Sequence, residues 1–104
     1  VQTCLFRSNA FIAPGVCLAC SGHAVLPMQR AEGIGTSKPI TIKDDVWIGA
    51  NVIVCGGVTI GKGSVIGAGS VVNKDIPAGV IAVGNPCRVL REITEEDRIN
   101  LSVG

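Results

Sequence analysis

Counting in sixes from Ile42 divides the chain into IKDDVW, IGANVI, VCGGVT, IGKGSV, IGAGSV and VNKDIP, and this repeat is the strongest constraint on its fold. The first position of each unit is Ile42, Ile48, Val54, Ile60, Ile66 and Val72 without a miss. The fifth is Val46, Val52, Val58, Ser64, Ser70 and Ile76, and the second is glycine at Gly49, Gly61 and Gly67. A period of six is neither helical nor simply alternating, and internal repeats decide architecture before any local signal does. It specifies a short strand, a turn and a strand again. Three such units close one triangular coil, and the expected fold is all-β: a parallel β-helix of about four coils. Position one points into the prism, so Ile42 should stack on Ile60, Ile48 on Ile66 and Val54 on Val72. Successive coils should rise by about 4.8 Å, the spacing of paired strands. Position five fills the corner, and glycine at position two permits close backbone approach and unusual dihedrals.

Composition agrees. Among 104 residues there are 14 Gly, two Phe, one Trp and no Tyr, with 47% hydrophobic residues. Fourteen Val and twelve Ile supply the apolar volume instead, and these are strand formers. The length indicates one domain, residues 1–104. A formal net charge of +1 gives no electrostatic footprint for nucleic acid. No apolar stretch reaches the roughly 18 residues of a membrane span, and no signal peptide is evident, so a cytoplasmic protein with reduced thiols is expected.

The six-residue phase extends upstream through Phe6, Ile12 and Leu18, with Ala10, Val16 and Gly22 at position five. Residues 6–23 and 36–77 should therefore be coil. Residues 24–35, AVLPMQRAEGIG, break the pattern and read as a loop inserted at a corner. After Pro77 the repeat relaxes. Thr94-Glu95-Glu96-Asp97 reads as a capping box, predicting a short helix over 95–102 within a C-terminal cap, 92–104, that covers the end of the stack.

The six-residue period, the APxV segment at 13–16, KPI at 38–40, VWIGA at 46–50, VVNKDIPAGVIAVGNP at 71–86 and CRVLR at 87–91 resemble the hexapeptide-repeat acyltransferases. The resemblance is greatest to the maltose, galactoside and nodulation O-acetyltransferases, and covers roughly residues 11–93. It implies a left-handed helix and a homotrimer with active sites between subunits. It also implies transfer of acetyl from coenzyme A to a hydroxyl of a sugar or xenobiotic.

His23, the only histidine, lies where that family has its catalytic base, after APxV and before VWIG. Imidazole suits proton removal near neutral pH, although a lone loop histidine is more often a surface residue. Alanine follows it, at Ala24, where the family usually has proline. Trp47, at outward position six, is either a wall of the acceptor site or a packing contact with the loop or another subunit. Lys74, Arg88 and Arg91 match the segments that bind the phosphates of coenzyme A; plain surface charge is the other reading. Ala50 and Ala68 should stack on one corner, leaving an edge open to the pantetheine arm of acetyl-CoA.

Cys17, Cys20 and His23 have zinc-like spacing, but no fourth ligand is evident and no metal is expected. Family members carry helical and coil segments ahead of APxV, including an Asn that contacts the acceptor sugar, and no residue here matches it. The second reading is thus a truncated, non-catalytic trimeric module retaining at most coenzyme A binding. Outward aliphatics such as Ile53 and Val65, on a chain of this length, favour a homotrimer under either reading.

Overall fold

A computed structural model describes residues 4–99. Three faces of a prism are built from β1 (Cys4–Phe6), β2 (Phe11–Ile12), β3 (Cys17–Ala19), then β6 (Ile40–Ile42), β7 (Trp47–Ile48), β8 (Ile53–Cys55), β9 (Thr59–Ile60), β10 (Val65–Ile66) and β11 (Val71–Val72). The first face stacks β1, β6 and β9, and the third stacks β3, β8 and β11, all in parallel. The second face stacks β2, β7 and β10 and continues to β12 (Val80–Val83) and β13 (Arg88–Glu92). Ile42 pairs with Ile60, Ile48 with Ile66 and Val54 with Val72, as the repeat predicts. All six of these position-one residues are at most 1% exposed. The position-five residues are buried too, Ser64 and Ser70 among them.

Those two serines stay inside because their hydroxyls are satisfied. Ser64 Oγ donates to Pro77 O at 2.6 Å and accepts from Val80 N at 3.2 Å. Ser70 Oγ donates to Gly67 O at 2.6 Å and accepts from Gly84 N at 3.0 Å. The position-two glycines do only half of what the sequence suggests. Their φ values are not positive; the left-handed residues are at position four, Asp45, Asn51, Gly57, Gly63 and Gly69, with Asn9 and Gly15 in the first coil. Position two serves close approach: a Cβ on Gly49 would meet Ala68 N at 2.7 Å. The division is physical. The corner reverses at position four, where Gly, Asn and Asp tolerate φ near +60°, while position two lies under the backbone of the coil above.

Three departures from strict periodicity shape the molecule. First, the excursion at the corner between the third and first faces is not irregular. It is an arm made of β4 (Ser21–His23), the five-residue helix α1 (Pro27–Ala31) and β5 (Gly35–Ser37). β4 and β5 pair antiparallel, Ser21 with Ser37 and His23 with Gly35, so residues 21–23 and 36–37 belong to the arm rather than to the coils. Second, the last coil is short at this same corner. Ile76 bridges to Ile60, so it takes a position-one place rather than position five. Asp75 Oδ1 accepts from Thr59 N at 2.8 Å and holds the tightened turn. Third, β13 turns back antiparallel on β12. Cys87, 4% exposed, donates its N–H to Val71 O at 2.8 Å and roofs the third face. The capping box of Thr94 and Asp97 is present, but it opens a 3₁₀ turn, Glu95–Asp97, that buries none of its residues. Among the described residues the upper end of the prism is closed by Val80 and Cys87; the rest of the expected helix, 100–102, lies outside them.

Candidate functional site

The predicted site residues fall into two groups on different parts of the prism. His23 is at the outer end of β4, exposed, on the arm that leaves the corner between the third and first faces. The arm is held by its ladder and by a turn of backbone bonds: Ala24 N donates to Ile34 O at 3.1 Å, and Ile34 N to Gln29 O at 3.1 Å. Arg30 Nη1 donates to Val25 O at 3.3 Å, tying α1 to the turn that follows β4. Pro27 opens α1, where its missing N–H costs nothing. The arm leaves Val25, Leu26 and Met28 exposed, Val25 by 89%. Lys74, also exposed, stands on the same corner two coils higher.

The second group lies on the second face and on the corner joining it to the third. Ala50 and Ala68 stack there as expected, with Gly69 N donating to Ala50 O at 2.9 Å. Trp47 is 54% exposed, and its neighbours in register are Phe11 below and Val65 above. The same outward row continues through Ile81 to Arg91 on β13. Sequence reasoning missed this row because β13 is antiparallel and lies outside the repeat. Arg88 begins β13 and donates to Cys87 O at 3.3 Å.

Arg91 is not idle. Its guanidinium forks onto Asp97, Nη1 to Oδ2 at 2.9 Å and Nη2 to Oδ1 at 2.7 Å. Those bonds and the Thr94 N–H push the Asp97 carboxyl down to about 2 and raise Arg91. Among the described residues, Lys74 and Arg88 form no ion pair, and no group of three His, Cys, Asp or Glu is placed to hold a metal. No described helix is long and apolar enough to cross a membrane.

One chain thus presents His23 and Lys74 at one corner, and an exposed indole, two arginines and a small-residue edge on the second face and the corner beyond it. The six-repeat bacterial transferase hexapeptide family matches residues 39–74. The galactoside O-acetyltransferase of Escherichia coli is 52% identical over 96 residues, covering 92% of this chain and 47% of that protein. A galactoside acetyltransferase solved in complex with coenzyme A superimposes with a TM-score of 0.87 at 50% identity, over 94% of this chain and 49% of the other. A maltose O-acetyltransferase from Clostridium difficile gives 0.80 at 42% identity, over 86% and 57%. The chain spans about half the length of these relatives. The shared architecture is the left-handed β-helix of the hexapeptide-repeat enzymes.

Proposed function

Taking the chain as a member of the hexapeptide-repeat acyltransferases, we propose that it transfers an acetyl group from acetyl-CoA to a hydroxyl of a sugar or other hydroxylated acceptor, with His23 as general base. The observation that carries this reading is the superposition of nearly the whole chain on a galactoside acetyltransferase holding coenzyme A. The residues fit such a cosubstrate. The edge at Ala50 and Ala68 is small enough for a pantetheine chain to lie against backbone groups. Lys74 and Arg88 offer cations that no described carboxylate neutralises, suited to phosphate. Arg91 joins them by leaving Asp97.

The separation of the two corners supports assembly as a homotrimer. The third face joins them, and its outward residues, Cys17, Ile53, Val71 and Cys55, are apolar. Three prisms turning this face toward a common axis bring the arm corner of one chain against the Ala50–Ala68 corner of the next. The exposed Val25, Leu26 and Met28 of each arm then find a neighbour to cover them.

In that setting the acceptor hydroxyl lies between His23 and the thioester carbonyl, with Trp47 as a wall. The new C–O bond forms as His23 takes the hydroxyl proton. Backbone N–H groups meet the developing oxyanion. The C–S bond then breaks, and the imidazolium returns its proton to the departing thiolate. No acyl-enzyme is needed, so the cysteines take no part in the chemical step.

Calorimetry with coenzyme A, followed by thiol release from acetyl-CoA against a panel of sugars and hydroxylated antibiotics, tests the reading. Lys74→Ala should weaken coenzyme A binding by roughly tenfold through a lost charge-assisted contact. Binding without turnover on any acceptor favours the non-catalytic module. Absence of coenzyme A binding at millimolar concentration overturns the transferase reading and the cofactor contacts together.

A further inference from the structure

We infer that Cys4 and Cys20 form a reversible disulfide that closes the first coil upon itself at the base of the arm. Cys4 opens β1 and Cys20 follows β3 directly. Cys4 is the in-register partner of Ile40, which points into the prism, and Cys20 stands one residue beyond Ala19, the partner of Cys55. Both are half-buried and pack against the core cluster. Their sulfurs are 3.4 Å apart, the thiol of Cys4 donating to Cys20 Sγ. The start and end of the coil thus meet at one corner, with both sulfurs on its inner side.

The pairing is selective. Cys17, one residue before the inward Leu18, points outward on β3 beside Ile53. Cys55 points outward on β8, and Cys87 is buried at the far end of the prism, where burial pushes its thiol up and away from reactivity.

Closure needs a disulfide oxidant of the glutathione type. One cysteine thiolate attacks the glutathione disulfide, forming a mixed disulfide and releasing one glutathione thiol. The second cysteine thiolate then displaces the other glutathione. Two cysteine protons and two electrons leave the protein, and two glutathione thiols result.

The consequence falls on the arm. Cys20 immediately precedes Ser21, the first residue of β4, and its carbonyl accepts from Lys38 N at 2.8 Å, where the arm rejoins the coil. A covalent ring through Cys20 fixes the hinge from which His23 projects two residues beyond Ser21. It also ties down a coil whose lower edge has no strand beneath it among the described residues. Because the link forms in the chain itself, it can be tested apart from the transferase reading.

The chain is equilibrated in a glutathione series from fully reduced to fully oxidised, quenched in acid, alkylated and digested with trypsin. Cleavage after Arg7 and Arg30 leaves Cys4 on one peptide, with Cys17 and Cys20 together on the next. A Cys17→Ser background removes that ambiguity. The linked peptide should appear toward the oxidised end in wild type and in Cys17→Ser, and be missing in Cys4→Ser and Cys20→Ser. In the oxidised form the amides of Arg7 and Lys38, which donate to Ile42 O and Cys20 O, should exchange roughly tenfold more slowly, because local opening of the coil is suppressed. The two Cys→Ser variants should show no such difference between redox states. A link through Cys17, glutathione adducts alone, or full alkylation of Cys4 at the oxidised end overturns the proposal. Equal exchange in the two redox states overturns its action on the arm.

Discussion

The first coil and the two above it are written in the same repeat, yet only the upper two form a core. Ile12 and Ile48 are in-register partners in one inward row, but Ile12 is 40% exposed and Ile48 is fully buried. Phe6 and Ile42 repeat the contrast, 48% against 0%. An inward side chain in a β-helix is buried by the coils on both sides of it, so position in the stack decides burial as much as residue type does. At the upper end Val80, Ala82 and Cys87 close the prism. At the lower end β1, β2 and β3 are edge strands among the described residues. The arm with His23 springs from this less consolidated coil, and the rigid coils carry Trp47, Ala50, Ala68 and Lys74.

The sharpest way to break this contrast is to shorten one row at two heights. Ile48→Ala should cost about 2–5 kcal/mol, the range for a buried aliphatic that leaves a cavity. Ile12→Ala, directly beneath it, should cost less than about 1.5 kcal/mol, because its site is already open to water. Denaturant midpoints at constant m-value check this, and equal losses would mean that the first coil is covered in solution.

A second test separates activity from stability. His23→Ala should cut turnover by about 100-fold while leaving the melting temperature and coenzyme A affinity of the coils unchanged. A parallel fall in stability would make His23 a structural part of the arm. A third test uses the corner row in which Ala10, Val46 and Ser64 occupy position five. Ser64→Ala strands the Val80 N–H and should cost about 1–3 kcal/mol. Ala10→Ser in the exposed coil should be near neutral, because water satisfies the added hydroxyl.

The smallest effect belongs to the C-terminal turn. Asp97 has its carboxyl lowered from 3.8 to about 2 by Arg91. Its ion pair therefore contributes fully above pH 3.8 and is lost as pH falls through about 2. The carboxyl resonance of Asp97, followed by NMR, should titrate near 2 in wild type and shift toward the ordinary value in Arg91→Ala.

The faces and the stacking partners were legible because six aliphatics recur without a miss from Ile42 to Val72. Periodicity stopped informing where geometry became non-local. Nothing in AVLPMQRAEGIG announces that Ser21–His23 and Gly35–Ser37 pair, since their antiparallel ladder replaces the repeat rather than continuing it. The shortened corner at Ile76 kept a hydrophobic residue in the expected phase and so concealed the change of register. For the site, His23 and Trp47 could be nominated from their neighbours in sequence, but their placement on separate parts of the prism, the arm and the second face, could not. The engagement of Arg91 with Asp97 was equally hidden, because it depends on a strand reversing direction outside the repeat.

The arm leaves and re-enters the prism through adjacent strands, with Ser21 opposite Ser37. The coil above is consequently indifferent to how much chain lies between them. Phe6 still stacks on Ile42, thirty-six positions along, as neatly as Ile42 stacks on Ile60. Closing a longer or shorter segment between two anchored ends changes the loop entropy only slowly. The β4–β5 junction is therefore a socket: arms of different length and chemistry can be exchanged at Ser21 and Ser37 without retuning the scaffold. What the arm contacts can then diverge, or be engineered, by grafting a segment rather than by redesigning a core.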